Sequence, residues 1–324
     1  MENVVLLADE NSRAWDFAER IKDYIFKEKG DKIDLQNLPS GHFRNKEMEI
    51  NPTENIRKKD VYFISDSSKN PQEWWVELLL VRDMVLSASA NSLTFVLPDM
   101  FYSRQDRKVK SRVPISARAL ANSISSGIKK IITMDLHSGQ IQGFYPPTTP
   151  LDNLFSFPEV TRYLIKKYPQ ILDNLLIVSP DAGGVVRAKA LMKKIGTLTG
   201  KKCDIAFVIK QRTVPGEVGE MKYIGPDPRG KNVLIVDDLI DSGGTLCSSA
   251  EMLKTMGVKN LICYGTHGLF TKGIDSLKQI FDLVLTSNTH FQENNGVGVI
   301  DVSSVFAEAI YRAQKGLSIS QLFD

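Results

Sequence analysis

The chain has 324 residues, enough for two domains of ordinary size. Apolar residues make up 42% and charged residues 24%, the balance of a soluble globular protein, and a net charge of +3 gives no footprint for nucleic acid. Three cysteines, Cys203, Cys247 and Cys263, show no CxxC spacing, which excludes a disulfide framework and points to a reducing, cytoplasmic setting.

The first residues, Met1–Asp9, read as a short strand and lack the layout of a signal peptide. The longest apolar stretch, Trp74–Val81, is broken by Glu77 and is too short to cross a bilayer, so no membrane is expected. Apolar runs of the buried-strand type recur at Val4–Leu7, Val61–Ile64, Leu93–Leu97, Ile131–Met134, Leu175–Val178, Ile205–Ile209, Val233–Val236, Leu261–Tyr264 and Leu283–Leu285. Helical patterns lie between many of them: Trp15–Phe26, Trp75–Ala88, Ile115–Ile124 and Gly183–Ile195. This alternation predicts an α/β fold of two similar domains, each a mostly parallel sheet flanked by helices. The proline-rich run Phe144–Pro150, followed by Pro158, predicts a boundary near 144–158.

Ligands of open α/β sheets sit at the carboxyl ends of strands, and six such segments carry candidate chemistry. Gly41–Glu47 is a polar loop with one aromatic residue, Phe43, beside Asn45 and Glu47. Phe101–Arg112 holds five cations against one anion and suits a polyphosphate, with a solvated face as the alternative. Met134–Phe144 places His137 just past a strand, before a polar loop; a lone histidine is otherwise structural. Ser179–Gly184 ends a strand and opens a helix, with Arg187 one turn on. Its amides suit a diphosphate and Asp181 suits a magnesium ion; a plain strand-to-helix turn is the alternative.

In Val208–Val218, Lys210 and Arg212 alternate and so point to one side of an extended segment. That pattern suits a cationic arm over a reacting phosphate, or a surface loop. The sixth segment is the most informative. Val233–Val236 is a buried strand, Asp237 and Asp238 follow at its end, and Asp241-Ser242-Gly243-Gly244-Thr245 turns into a helix. A glycine-rich turn at a helix N-terminus binds anions, and the two carboxylates beside it suit the hydroxyls of a sugar. The segment predicts a sugar phosphate site, against the alternative of a capped surface turn.

That last segment resembles the phosphoribosyl diphosphate motif of the type I phosphoribosyltransferase fold. Arg104-Gln105-Asp106, Met134–His137 with Gln140–Gly143, Ser179–Gly184 and Asp237–Thr245 occur together and in order. As a set they resemble the ribose-phosphate diphosphokinase family, over nearly the whole chain. The resemblance implies a first domain of residues 1–154, completed by 313–324, and a second of 155–312. It implies diphosphoryl transfer from ATP to the 1-hydroxyl of ribose 5-phosphate, with AMP released. It implies that Phe43, Asn45 and Glu47 contact adenine, that Arg104 and Gln105 hold the nucleotide, and that His137 and Asp181 serve Mg2+. It implies ribose 5-phosphate on Asp237, Asp238, Asp241, Ser242, Gly243, Gly244 and Thr245, with Lys210 and Arg212 as the catalytic arm. The implied assembly is a homo-oligomer, a dimer or a hexamer built of dimers.

The chain departs from the family's usual pattern at Ser242 and Gly243, at Trp74-Trp75, and at Asn55 and Gly139, the last two near the family's regulatory phosphate site. Two rival readings remain. A phosphoribosyltransferase has no need of the N-terminal half, and a non-catalytic homologue tends to lose Lys210, Arg212 or the acidic pair, all of which are present.

Overall fold

The computed structural model describes residues 1–211, 220–290, 292 and 295–323. The chain divides into two compact units: Met1–Phe155 with Thr289–Phe291 and Val302–Asp324, and Ser156–Asn288 with Gln292–Asp301.

The first unit opens on β1 (Val4–Ala8), whose five residues are all buried. Helix α1 (Arg13–Lys29) follows and stops at Gly30, which takes φ +68° and returns its N–H to Phe26 O. Next come β2 (Asp34–Asn37), β3 (Ser40–His42), β4 (Met48–Ile50), β5 (Asp60–Ile64), α2 (Pro71–Ser87), β6 (Ser92–Leu97), α3 (Ser116–Ile124), β7 (Lys130–Met134) and β8 (Leu151–Leu154). The main sheet has the order β2-β1-β5-β6-β7-β8, with every pairing parallel. Parallel strands are buried on both faces, which is why they are near-continuous apolar runs. On one face Phe63 and Phe95 pack with Trp74, Leu78 and Val85 of α2 and Leu120 and Ile124 of α3. Strands β3 and β4 form a separate antiparallel hairpin.

The second unit runs α4 (Phe157–Lys167), β9 (Leu175–Ser179), α5 (Val185–Thr199), β10 (Asp204–Gln211), β11 (Glu220–Ile224), β12 (Asn232–Ile240), α6 (Gly244–Thr255), β13 (Asn260–Gly268), α7 (Asp275–Ile280), β14 (Leu283–Ser287) and β15 (Gly298–Ile300). Its sheet has the order β11-β10-β9-β12-β13-β14-β15, antiparallel only between β10 and β11. Leu246, Ala250 and Leu253 of α6 pack onto Val233, Ile235 and Leu261 of the strands. The last helix, α8 (Ser303–Lys315), belongs to the first unit, because Phe306 meets Phe17 of α1 edge-on with centroids 5.3 Å apart.

Two differences from the sequence reading matter for chemistry. The strand expected at Val233–Val236 continues to Ile240, since its pairing with β13 persists through Asp237↔Gly265 and Ile240↔Gly268. Both carboxylates therefore sit within the strand rather than after it. The loop expected at Gly41–Glu47 forms the tip of the β3–β4 hairpin, whose three-residue strands are too short to register as strands in the sequence.

Candidate functional site

In the second unit, the ends of two neighbouring strands, β9 and β12, meet at one pair of carboxylates. β9 ends at Ser179, whose hydroxyl donates to Asp181 O at 2.7 Å. Gly184 N donates to Asp181 Oδ1 at 2.8 Å, which closes the turn before α5. A Cβ on Gly184 would stand 2.5 Å from Ser179 Oγ, so only glycine fits there. One turn into α5, Arg187 reaches the next strand: its Nη1 lies 3.1 Å from Asp238 Oδ1 and 3.6 Å from Asp237 Oδ1.

The acidic pair is crowded. Asp238 N donates to the neighbouring Asp237 Oδ1 at 2.9 Å. Burial, then the charge of Asp238, hold the Asp237 carboxyl well above the usual carboxylate range, and Arg187 offsets this only in part. After the strand, Asp241 is pinned, its Oδ1 accepting from Thr271 Oγ1 at 2.7 Å and its carbonyl accepting from Thr271 N at 3.0 Å. Gly243 caps α6 with φ +75°, a conformation that favours glycine. The next residues, Gly244 and Thr245, are exposed, and the first amides of a helix have no intrahelical acceptor. Free amides at a helix N-terminus beside two carboxylates suit a phosphorylated polyol.

Lys210 belongs to β10, opposite Met221 of β11, while Arg212 lies outside the described residues. Asp181 is exposed, and with one carboxylate oxygen committed to Gly184 it keeps the other for a ligand.

The first unit carries the remaining candidates. Phe43, Asn45 and Glu47 are all exposed at the hairpin tip. Phe43 N donates to Glu47 O at 2.8 Å, Lys46 N to Phe43 O at 2.8 Å, and Glu47 N to Asn45 Oδ1 at 3.2 Å. Below the tip, His42 Nε2 lies 3.7 Å from Glu73 of α2. Arg104 and Gln105 are exposed on the loop after β6. That loop is fixed at several points: Ser116 Oγ donates to Gln105 Oε1, Ala117 N donates to Gln105 O at 3.3 Å, and Gln140 Nε2 donates to Asp106 Oδ2 at 2.7 Å. His137 is exposed just past β7, after Asp135, which adopts φ +42° and is buried.

Sequence reasoning gave no role to Arg187, although its place one turn past a strand-end glycine pair was visible. It also gave no role to Lys69. That side chain donates to Glu77 Oε1 at 2.6 Å and to Ser40 Oγ at 2.8 Å, and Ser40 donates in turn to Asp9 Oδ2 at 2.8 Å. The chain of contacts ties the start of the hairpin to α2. Burial raises the Glu77 carboxyl, with Lys69 acting against it.

Residues 5–127 match the family described as the N-terminal domain of ribose phosphate pyrophosphokinase, and residues 151–300 match the phosphoribosyl transferase domain. A ribose-phosphate pyrophosphokinase of Rhizobium meliloti (strain 1021) is 39% identical over 301 residues, covering 89% of this chain and 94% of the relative. The protein of that name from Pasteurella multocida (strain Pm70) is 35% identical over 317 residues, covering 95% and 96%. Among solved structures, the phosphoribosylpyrophosphate synthetase of Mycobacterium smegmatis superposes with a TM-score of 0.80 at 26% identity, covering 97% of this chain and 99% of that one.

Proposed function

The chain belongs to the ribose-phosphate pyrophosphokinase family, and from that membership we propose how its residues divide the reaction. It is an enzyme that transfers the diphosphoryl group of ATP to the 1-hydroxyl of ribose 5-phosphate, giving phosphoribosyl diphosphate and AMP. The observation that carries the division is the cluster of Arg187, Asp237 and Asp238 beside the glycine turn that opens α6.

Ribose 5-phosphate takes this cluster. Its phosphate lies on the amides of Gly244 and Thr245 and on the hydroxyls of Ser242 and Thr245. Asp237 and Asp238 accept hydrogen bonds from ribose hydroxyls, and Asp241, held by Thr271, fixes the turn. Arg187 partly offsets the repulsion between the paired carboxylates before the sugar arrives. ATP takes the loop after β6 through Arg104 and Gln105, and its adenine takes Phe43, Asn45 and Glu47. The exposure of that hairpin tip supports its use by a neighbouring copy, so the working form is at least a dimer.

His137 and Asp181 are the proposed holders of Mg2+. Both are exposed at strand ends, each in its own unit, and a carboxylate and an imidazole are side chains that would suit a divalent ion. When bound, such an ion neutralises phosphate charge. Lys210 and Arg212 stabilise the charge on the transferring group, in a reaction that is mostly positioning and electrostatics. No covalent enzyme intermediate is needed. No helix among the described residues is long and apolar enough to cross a membrane.

The test is direct. The purified protein, given ATP, Mg2+ and ribose 5-phosphate, releases AMP in step with phosphoribosyl diphosphate. Absence of AMP, with and without added phosphate, overturns the reading.

A further inference from the structure

The loop after β6 carries two adjacent aromatic residues, Phe101 and Tyr102, and each is met by one of two consecutive tryptophans of α2. Trp74 is fully buried, packs on Phe101 with centroids 5.0 Å apart, and donates its indole N–H to Ser65 Oγ at 3.2 Å. Trp75 is half-buried and meets the Tyr102 ring edge-on, 4.7 Å between centroids at 67°. Its indole N–H donates to Ser123 Oγ at 2.8 Å, and that hydroxyl donates onward to Leu120 O at 2.8 Å, so the ring is locked to α3. Consecutive helix residues point about 100° apart, so the pair grips two neighbouring loop residues from two directions.

Tyr102 is the residue that needs gripping. Its φ is +62°, a conformation disfavoured for any side chain but glycine. The backbone reversal at Tyr102 sets the direction in which the chain leaves toward Arg104 and Gln105, two and three residues on. Farther along, the start of α3 holds Gln105 through Ser116 and Ala117. The turn is thus clamped at Tyr102 from the C-terminal part of α3 by way of Trp75, and at Gln105 from its N-terminus.

We propose that Trp75 is a positioning residue for the nucleotide: by packing edge-on against Tyr102 it holds the left-handed turn that presents Arg104 and Gln105 to ATP. The inference rests on the reading of Arg104 and Gln105 as nucleotide-binding residues. Trp75 acts through Tyr102, and ribose 5-phosphate, bound on the second unit, is indifferent to it.

Equilibrium binding of ATP and, separately, of ribose 5-phosphate to the full-length protein tests this. Trp75→Leu and Tyr102→Leu each weaken ATP binding by about three- to tenfold, the range of an aromatic edge-to-face pair. Ribose 5-phosphate binding stays within about twofold, because the sites do not share these residues. The double variant is no weaker than the poorer single one, and Trp75→Phe, which keeps an aromatic ring against Tyr102, recovers most of the affinity. Should Trp75→Leu fail to fold, Ser123→Ala, which unlocks the indole without emptying its site, carries the test with a smaller loss in the same direction. Unchanged ATP affinity, fully multiplicative losses in the double variant, or an equal loss of ribose 5-phosphate binding overturns the proposal. If the unaltered protein binds no ATP while still binding ribose 5-phosphate, the nucleotide reading itself falls, and the proposal with it.

Discussion

Arg187 Nη1 stands 3.1 Å from Asp238 Oδ1, across the gap between the first turn of α5 and strand β12. This contact joins two strand-end loops that the chain separates by some fifty residues, and it puts a cation against the carboxylate pair. Burial and the neighbouring Asp238 charge nonetheless push the Asp237 carboxyl upward.

The raised carboxyl predicts a trade between stability and activity. A carboxyl whose folded value is raised favours the neutral form. Its contribution to stability is present below the ordinary carboxylate range and is lost as pH climbs through the folded value. Asp237→Asn removes the loss. Thermal unfolding should show the variant more stable than the parent by about 0.5–2 kcal/mol at neutral pH, the usual gain from a single stabilising substitution. The gain should shrink toward about pH 4, where the parent's carboxyl is protonated as well. AMP release should collapse. A variant melting below the parent at neutral pH would contradict the raised carboxyl.

Gly243→Ala should damage the ribose 5-phosphate end alone. The residue has φ +75°, and an added Cβ would meet Leu277 at 3.1 Å. The backbone cost is about 1–2 kcal/mol, visible as a lower unfolding temperature. The KM for ribose 5-phosphate should rise with little change in that for ATP. Equal changes in both would mean that the turn does not serve the sugar.

Lys210→Ala should separate chemistry from binding. A donor aimed at developing charge is worth about 100- to 1000-fold in kcat, while the KM for ATP should move by no more than about threefold. A rate within a few-fold of the parent's removes Lys210 from the catalytic arm.

Lys69→Met should be the most destabilising of these changes. It strands Glu77, whose side chain is only 3% exposed, without its cation. Breaking a buried pair from one side costs about 3–5 kcal/mol. Adding Glu77→Leu should restore much of that loss in denaturant unfolding, because no uncompensated charge is then buried. A single variant as stable as the parent would show that Lys69 and Glu77 do not depend on each other.

The α/β class was legible because parallel strands announce themselves as unbroken apolar runs, as at Val61–Ile64 and Leu175–Val178. The short strands were not legible. Ser40–His42 and Met48–Ile50 form strands through tertiary pairing, with β4 packed against α2 and the hairpin tied to it by Lys69, and three residues are too few to show a period of their own. The extension of β12 through Asp237 and Asp238 escaped for a similar reason. Two adjacent carboxylates disfavour a strand locally, and only the pairing with β13 keeps them in one.

Residue order alone determined the glycine turn, the acidic pair and the spacing that groups this chain with its relatives, because backbone nests and strand-end loops are built from neighbours in sequence. Tertiary structure decided what those carboxylates touch. Arg187 is half a domain away from Asp238 along the chain and becomes its partner only when β9 and β12 pair side by side. The glycine turn of Asp241–Thr245 is readable from sequence as an anion site. The charge state of the acids beside it is not, because desolvation and a partner's position are properties of packing rather than of residue order.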